Sequence, residues 1–249
     1  MDLETQQKII ARIKRDPEYF IFNFCKTEDP HDEKEPIKLF PRRQHIRDMI
    51  FEIHNNDKVI ITKSRQMQFT WTMLAYILWL VITQASRKCY VQSKKEKDSD
   101  RLLNRLFGMW KRLPPFLQAL VVMRKKYCLI YGTNSSEVIG IQQDPEAYRQ
   151  ECASLVFVDE AEFQYEMERI ITSLIPTYLA IPTYLAAVVV TPLNITEART
   201  QFFSTGSRTI TSSTIRFSTF CRTASAFFFR SLVETFGFVI FSSSSTYFF

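Results

Sequence analysis

Apolar residues Leu3, Ile9, Ile10 and Ile13 recur at helical spacing among charged neighbours, which predicts a helix at the start of the chain. It leads into the apolar EYFIFNF (18–24), and the charged TEDPHDEKEP (27–36) then reads as a loop. A helix is expected from Pro41 to about His54, where proline suits the first turn. KVIIT (58–62) is short, apolar and β-branched, as a buried strand requires, and a long helix follows from about 68 to 84. KCYVQ (88–92) predicts a second strand, with a charged helix from Lys94 to about Arg112 behind it. YCLIY (127–131) and EVIGI (137–141) suggest a hairpin or two successive strands, while SLVFV (154–158) and AAVVV (186–190) read as buried strands. Strands alternating with helices predict an α/β fold with a mostly parallel sheet flanked by helices. Ligands of such sheets gather at the carboxyl ends of the strands, so the residues after each strand carry the functional question.

The pattern fails near position 200. Residues 201–249 hold 19 Ser or Thr and 12 Phe among 49, and only five charges, against 53 charged residues in the first 200. No period of 2 or 3.6 is sustained there. This tail is expected not to be an evolved domain, its fold is doubtful, and it carries no legible function. IPTYLA occupies 175–180 and again 181–186, a tandem copy too short to mark a solenoid.

Composition adds four constraints. The formal charge of +6 permits a nucleic-acid or anionic partner without requiring one. The five cysteines (25, 89, 128, 152, 221) and three histidines (31, 45, 54) have no metal-ligand spacing, and free thiols are the expectation. The apolar run Trp71 to Ile82 is too short to span a bilayer, so no membrane association is expected, and the charged N-terminus is not a signal peptide. Glycine is scarce: five occur, where average usage of roughly 7% would give about 17. A glycine-rich dinucleotide fingerprint is excluded, and any phosphate loop must manage almost without glycine.

Two strand ends nevertheless carry phosphate chemistry. After KVIIT comes Lys63-Ser64-Arg65-Gln66-Met67-Gln68-Phe69-Thr70 and then a helix. Strand, basic loop and helix with an early Thr is the context in which backbone amides hold phosphate, a lysine adds charge and a hydroxyl ligates Mg²⁺. Against GxxxxGK[ST] only Thr70 fits; Gln68 stands at the second glycine and Phe69 at the lysine, so a plain basic strand-to-helix turn also fits. After SLVFV comes Asp159-Glu160, the pattern in which one carboxylate holds Mg²⁺ and the next activates water. Thr191-Pro192-Leu193-Asn194 follows AAVVV, either as a γ-phosphate sensor or as the closing of a turn.

LFPRRQ (39–44), TKSRQMxxTW (62–71), SLVFVDEAEF (154–163) and VVVTPLN (188–194) come in the order and spacing of phage terminase large subunits, which the chain resembles over roughly residues 16–195. The resemblance implies a RecA-like P-loop NTPase core that binds ATP and Mg²⁺ and couples hydrolysis to translocation of double-stranded DNA into a procapsid. It divides the chain into an N-terminal helical, adenine-binding segment (1–56), the ATPase core (57–200) and the tail (201–249), with the family's downstream nuclease domain absent; Glu234, the tail's single acidic residue, offers no carboxylate cluster for metal-dependent cleavage. Implied partners are double-stranded DNA, the terminase small subunit and the portal of the procapsid, in a homo-oligomeric ring within the host cytoplasm.

Residue by residue, the resemblance assigns Gln44 to the adenine edge, Lys63 to the displaced lysine of the phosphate loop and Arg65 to an arginine finger supplied in cis. Ser64, Gln66, Met67, Gln68 and Phe69 complete the loop, Thr70 and Asp159 are the Mg²⁺-linked groups, and Glu160 is the catalytic carboxylate. Thr191 and Asn194 match the segment coupling hydrolysis to DNA movement, although Leu193 interrupts its usual Thr-Pro-Asn order. Arg149 matches a family Arg-Gly pair in which Gln150 holds the glycine's place. Gln68 likewise replaces a glycine, which predicts weak or absent ATPase activity. The alternative is a truncated, non-catalytic relic retaining at most nucleotide or DNA binding. A helicase-like ATPase would share the loops but requires a second RecA-like domain. The run Lys94-Lys95-Glu96-Lys97 reads as a solvated helix start, with DNA contact as the other possibility.

Overall fold

A computed structural model describes residues 2–28, 34–56, 58–62, 67–118, 122–125, 128–131, 135–141, 153–160, 185–190 and 239–242. Two helices open the chain, α1 (Leu3–Arg15) and α2 (Pro17–Phe24), each started by an aspartate. Asp2 accepts from the Thr5 amide at 3.1 Å and Asp16 from the Tyr19 amide at 2.8 Å, satisfying amides that the first helical turn leaves without an intrahelical partner. Asp16 ends one helix and starts the next, with Pro17 at the favoured first position.

A short antiparallel ribbon follows, β1 (Lys26–Glu28) with β2 (Ile37–Leu39). The stretch read as a loop therefore begins inside a strand. The next helix, α3 (Gln44–Asn55), starts three residues later than Pro41, because Pro41 to Arg43 form a separate turn in which the Arg43 amide donates to the Pro41 carbonyl at 2.8 Å.

Then come β3 (Lys58–Thr62), α4 (Phe69–Thr83), β4 (Lys88–Gln92) and α5 (Glu96–Lys111), within a residue or two of the expected bounds. Beyond them lie β5 (Val122–Lys125), β6 (Cys128–Tyr131), β7 (Ser136–Ile141), β8 (Leu155–Val158), β9 (Leu185–Val190) and β10 (Val239–Ser242). One sheet holds eight of the strands in the order β10-β3-β9-β8-β4-β7-β6-β5. The six from β10 to β7 are parallel, and β6 and β5 add an antiparallel margin. The two sequence runs at 127–131 and 137–141 are thus antiparallel neighbours. Strand β5 escaped the sequence reading, its VMRK being half basic. So did β10: VIFS of the tail pairs along β3 from Val59 to Thr62, so this part of the tail joins the sheet.

Helix α4 is apolar all round because it is enclosed: ten of its fifteen residues are buried. Its buried indole donor is satisfied, Trp79 Nε1 donating to the Ile13 carbonyl at 2.7 Å and tying α4 to α1. Phe20, Ile21, Met49 and Ile53 of α2 and α3 share one core with Met73, Ile77, Val91, Leu103 and Phe157. Helix α5 lies close on β7: a Cβ at Gly140 would stand 3.0 Å from Leu103 Cδ1, so this glycine serves packing, not phosphate. Among the described residues no helix is long and apolar enough to cross a membrane.

Candidate functional site

The chain leaves β3 for α4 and reaches β4 three strands away, with β9 and β8 between them. The carboxyl ends of β3, β9, β8 and β4 consequently lie along one edge: Thr62 is in register with Val190, and Val158 with both Val188 and Gln92. At this edge the described candidate residues are Met67 to Thr70 before and at the start of α4, and Asp159 and Glu160 after β8.

Thr70 and Asp159, 89 positions apart in sequence, meet there. Thr70 Oγ1 lies 3.3 Å from one Asp159 carboxylate oxygen and 3.4 Å from the other, donating a long hydrogen bond to the pair. Asp159 is 8% exposed, the one carboxylate among the buried polar side chains described. Its backbone is fixed by continuation of the ladder, the Asp159 amide donating to the Gln92 carbonyl at 2.8 Å. A carboxylate this buried, beside a hydroxyl at the carboxyl edge of a parallel sheet, makes Asp159 a candidate site residue.

Helix α4 presents its amino end at the same place. Its first amide-to-carbonyl bond runs from Thr72 to Gln68 at 2.9 Å, so the amides of Phe69, Thr70 and Trp71 precede the ladder at the positive end of the helix dipole. The Phe69 side chain is fully buried, with its ring centroid 5.8 Å from that of His45, so any ligand contact at this residue comes from its backbone. The same burial explains why no lysine stands there.

Gln68 caps α4 in the left-handed conformation, φ 59° and ψ 15°. This is a region that glycine enters freely and other residues enter at a cost of about 1–2 kcal/mol. Its side chain makes no capping bond, and its Oε1 is buried without a hydrogen-bond partner. The scarcity of glycine therefore acts at one identifiable backbone position. Glu160 is left-handed too, at φ 53°. Of the four non-glycine residues with positive φ among those described, these two flank the site, and strain of this kind collects where function over-determines the backbone.

Charged neighbours complete the edge. Glu160 Oε2 accepts an ion pair from Lys94 Nζ at 3.1 Å. Gln44, at the first position of α3, is exposed, and its amide donates to Asp48 Oδ1 at 2.7 Å. His45 is buried beside the loop, where the Met67 backbone accepts its hydrogen bond; burial, then the nearby Arg43 charge, hold its pKa below the ordinary histidine value. Sequence reasoning gives neither His45 nor Lys94 a part in this site, since a lone histidine and a lysine run fit ordinary helix starts. The one available signal is position, each lying at the start of a helix beside a strand end of this edge.

Lys63, Ser64, Arg65, Gln66, Arg149, Gln150, Thr191 and Asn194 lie outside the described residues. What is brought together is Met67 to Thr70, Asp159 and Glu160.

The oxygen set fits Mg²⁺. Adjacent ligands of an octahedral ion at 2.0–2.1 Å stand about 3 Å apart, so the 3.3–3.4 Å between Thr70 and Asp159 requires only a slight contraction. One hydroxyl and one carboxylate leave the remaining positions for phosphate oxygens and water, the usual division at phosphoryl-transfer sites.

No protein-family model matches the sequence, and no curated protein matches it. Solved structures do match in fold. The large terminase of bacteriophage HK97 superposes with a TM-score of 0.56 at 14% identity, covering 74% of this chain and 37% of that one. The large terminase ATPase domain of Thermus phage P74-26 gives 0.51 at 15% identity over 63% of this chain and 67% of that domain. The large terminase of another thermophilic bacteriophage gives 0.51 at 12% identity, over 61% of this chain and 40% of that one. The chain thus spans little more than a third of the HK97 protein, and what it shares is the α/β fold of the large-terminase ATPase domain.

Proposed function

We propose that the chain is the ATPase portion of a phage large terminase, hydrolysing ATP at the carboxyl edge of its sheet to drive double-stranded DNA into a procapsid. The observation that carries this reading is the meeting of Thr70 with Asp159 at the amino end of α4, immediately before Glu160. The amides opening α4 bind the phosphates, and Thr70 and Asp159 hold Mg²⁺. When bound, the ion neutralises negative charge on the β- and γ-phosphate oxygens. Glu160 orients a water and takes its proton as the oxygen attacks the γ-phosphorus, releasing ADP and phosphate. Lys63 and Arg65, in the loop between β3 and α4, supply positive charge to the transferred group. Gln44 reads the adenine edge, for which its amide exchanges Asp48 for the base. Thr191 and Asn194, after β9, pass the change at the γ-phosphate to the DNA-moving surface. The working assembly is a homo-oligomeric ring at the portal in the host cytoplasm, with the terminase small subunit as a further partner.

The test is phosphate release by the purified chain. Slow hydrolysis is expected with Mg²⁺, none with chelator, and a rise on adding linear duplex DNA. Hydrolysis that is equal with and without chelator would contradict the proposal, as would failure of both this chain and its Gln68→Gly variant to bind ATP.

A further inference from the structure

A groove of about 530 Å³, within the usual range of ligand-binding cavities, lies between the end of α2, the β1–β2 ribbon and the turn that closes α5. It is remote from the candidate site. Helix α5 starts two residues after Lys94, which meets Glu160, and is capped by Arg112 at the groove; at 1.5 Å per residue its sixteen residues span about 24 Å. The walls are held from behind. Gln118 Nε2 donates to the carbonyls of Leu113 at 2.6 Å and Lys111 at 2.8 Å, which fixes the turn after α5. Asn23 uses both ends of its amide, donating to the Tyr19 carbonyl at 2.7 Å and accepting from Arg42 at 2.9 Å. Arg112 Nη2 donates to Glu28 Oε1 at 2.9 Å and ties the turn to the ribbon.

The lining combines apolar surface with positive charge. Four large apolar side chains are exposed among the described residues, and two of them, Ile37 and Leu39, line this groove with Lys38 between them. Residues two apart on a strand share a face, so Ile37 and Leu39 are spaced for the alternate side chains of an extended partner. Phe24, Leu113 and Pro114 add apolar wall, and an apolar patch rimmed by charge marks an interaction surface. Lys26, Lys38 and Arg112 line the groove against the one carboxylate of Glu35, and cations still outnumber carboxylates when Glu28 is counted. Arg112 is incompletely satisfied. Its Nη1 is buried without a hydrogen-bond partner among the described residues, while the side chain as a whole is 27% exposed. A small turn of the guanidinium gives that nitrogen an acceptor in the groove. Independently of the ATPase reading, we infer that this groove docks a short extended segment of another protein, whose apolar side chains rest on Ile37 and Leu39 and whose acidic side chain accepts from Arg112.

An immobilised array of hexapeptides, each position leucine, serine, glutamate or lysine, tests this when probed with the full chain and followed by fluorescence anisotropy of the retained peptides in solution. Retained peptides are expected to carry glutamate flanked by leucine, and exchanging that glutamate for glutamine, or the leucines for serine, to weaken binding about tenfold. Arg112→Gln and Leu39→Asp are each expected to weaken it about tenfold as well, whereas Glu28→Gln, which leaves the guanidinium in place, stays within about threefold of the parent. Leu39 is 48% exposed, so its variant carries the test if Arg112→Gln does not fold. Retention of no peptide, or of peptides without glutamate, overturns the inference. So do retained peptides that bind Leu39→Asp as tightly as the parent, the result of unspecific attraction to a basic chain. A loss in Glu28→Gln equal to that in Arg112→Gln makes Arg112 a prop of the ribbon and also overturns it.

Discussion

Glu160→Gln, made in a Gln68→Gly background so that the starting rate is well above detection, is expected to lower kcat by about 10²–10⁴-fold. Glutamine keeps the size of the side chain and its ability to orient water, but cannot take the proton. Nucleotide affinity should stay within about threefold, because Thr70, Asp159 and the amino end of α4 are untouched. Residue 160 is left-handed, and glutamine carries the same strain there as the original residue. Single-turnover phosphate release beside equilibrium ATP binding separates the two effects. A fall in binding equal to the fall in rate would make Glu160 a binding residue instead of a base.

Gln68→Gly is expected to act in the opposite direction, and on stability as well as activity. The left-handed conformation costs glutamine about 1–2 kcal/mol, and its buried, unpartnered Oε1 adds the desolvation of a polar atom. Glycine removes both, at an entropic cost of about 0.5–1 kcal/mol. A net gain of about 1–2 kcal/mol should raise the melting temperature by roughly 2–8 °C in a chain of this size. Glycine also lets the backbone approach phosphate closely, so ATP affinity should rise about ten- to a hundredfold. Thermal unfolding and nucleotide titration of the two chains check both effects. Unchanged affinity in a stabilised variant would favour the reading of the chain as a relic, while an unsubstituted chain already as active as the variant would remove Gln68 as an impediment.

Much of the fold was written in local pattern. The β-branched runs at 58–62 and 186–190, the uniformly apolar α4 and the charged α5 each carry their own period, and the structure follows them closely. What escaped has no such signal. Strands β1, β2 and β5 are three or four residues long and rich in charge, and exist because a neighbour offers hydrogen bonds. VIFS in the tail is apolar enough for a strand, but its Ser- and Phe-rich surroundings hid any period, and only pairing with β3 distinguishes it.

The site divides in the same way. Thr70, Asp159 and Glu160 were legible because strand–loop–helix and apolar-strand–Asp-Glu are local patterns, and their distant meeting follows from the topology of a parallel sheet. Gln68 was legible as a residue in a glycine's place, and that is where the left-handed backbone lies. The Lys94–Glu160 pair was not, since it depends on the register between β4 and β8, which no sequence pattern fixes.

The central claim is that Thr70 and Asp159 hold Mg²⁺ for a nucleotide seated at the start of α4. Calorimetric titration of a non-hydrolysable ATP analogue into the Gln68→Gly chain, with Mg²⁺ or with chelator and repeated after Asp159→Asn, tests it most directly. The account predicts that Mg²⁺ strengthens binding by about tenfold or more and that Asp159→Asn removes this dependence while the fold is retained. Equal affinity with and without Mg²⁺, or an Asp159→Asn chain that responds to Mg²⁺ as its parent does, would contradict it.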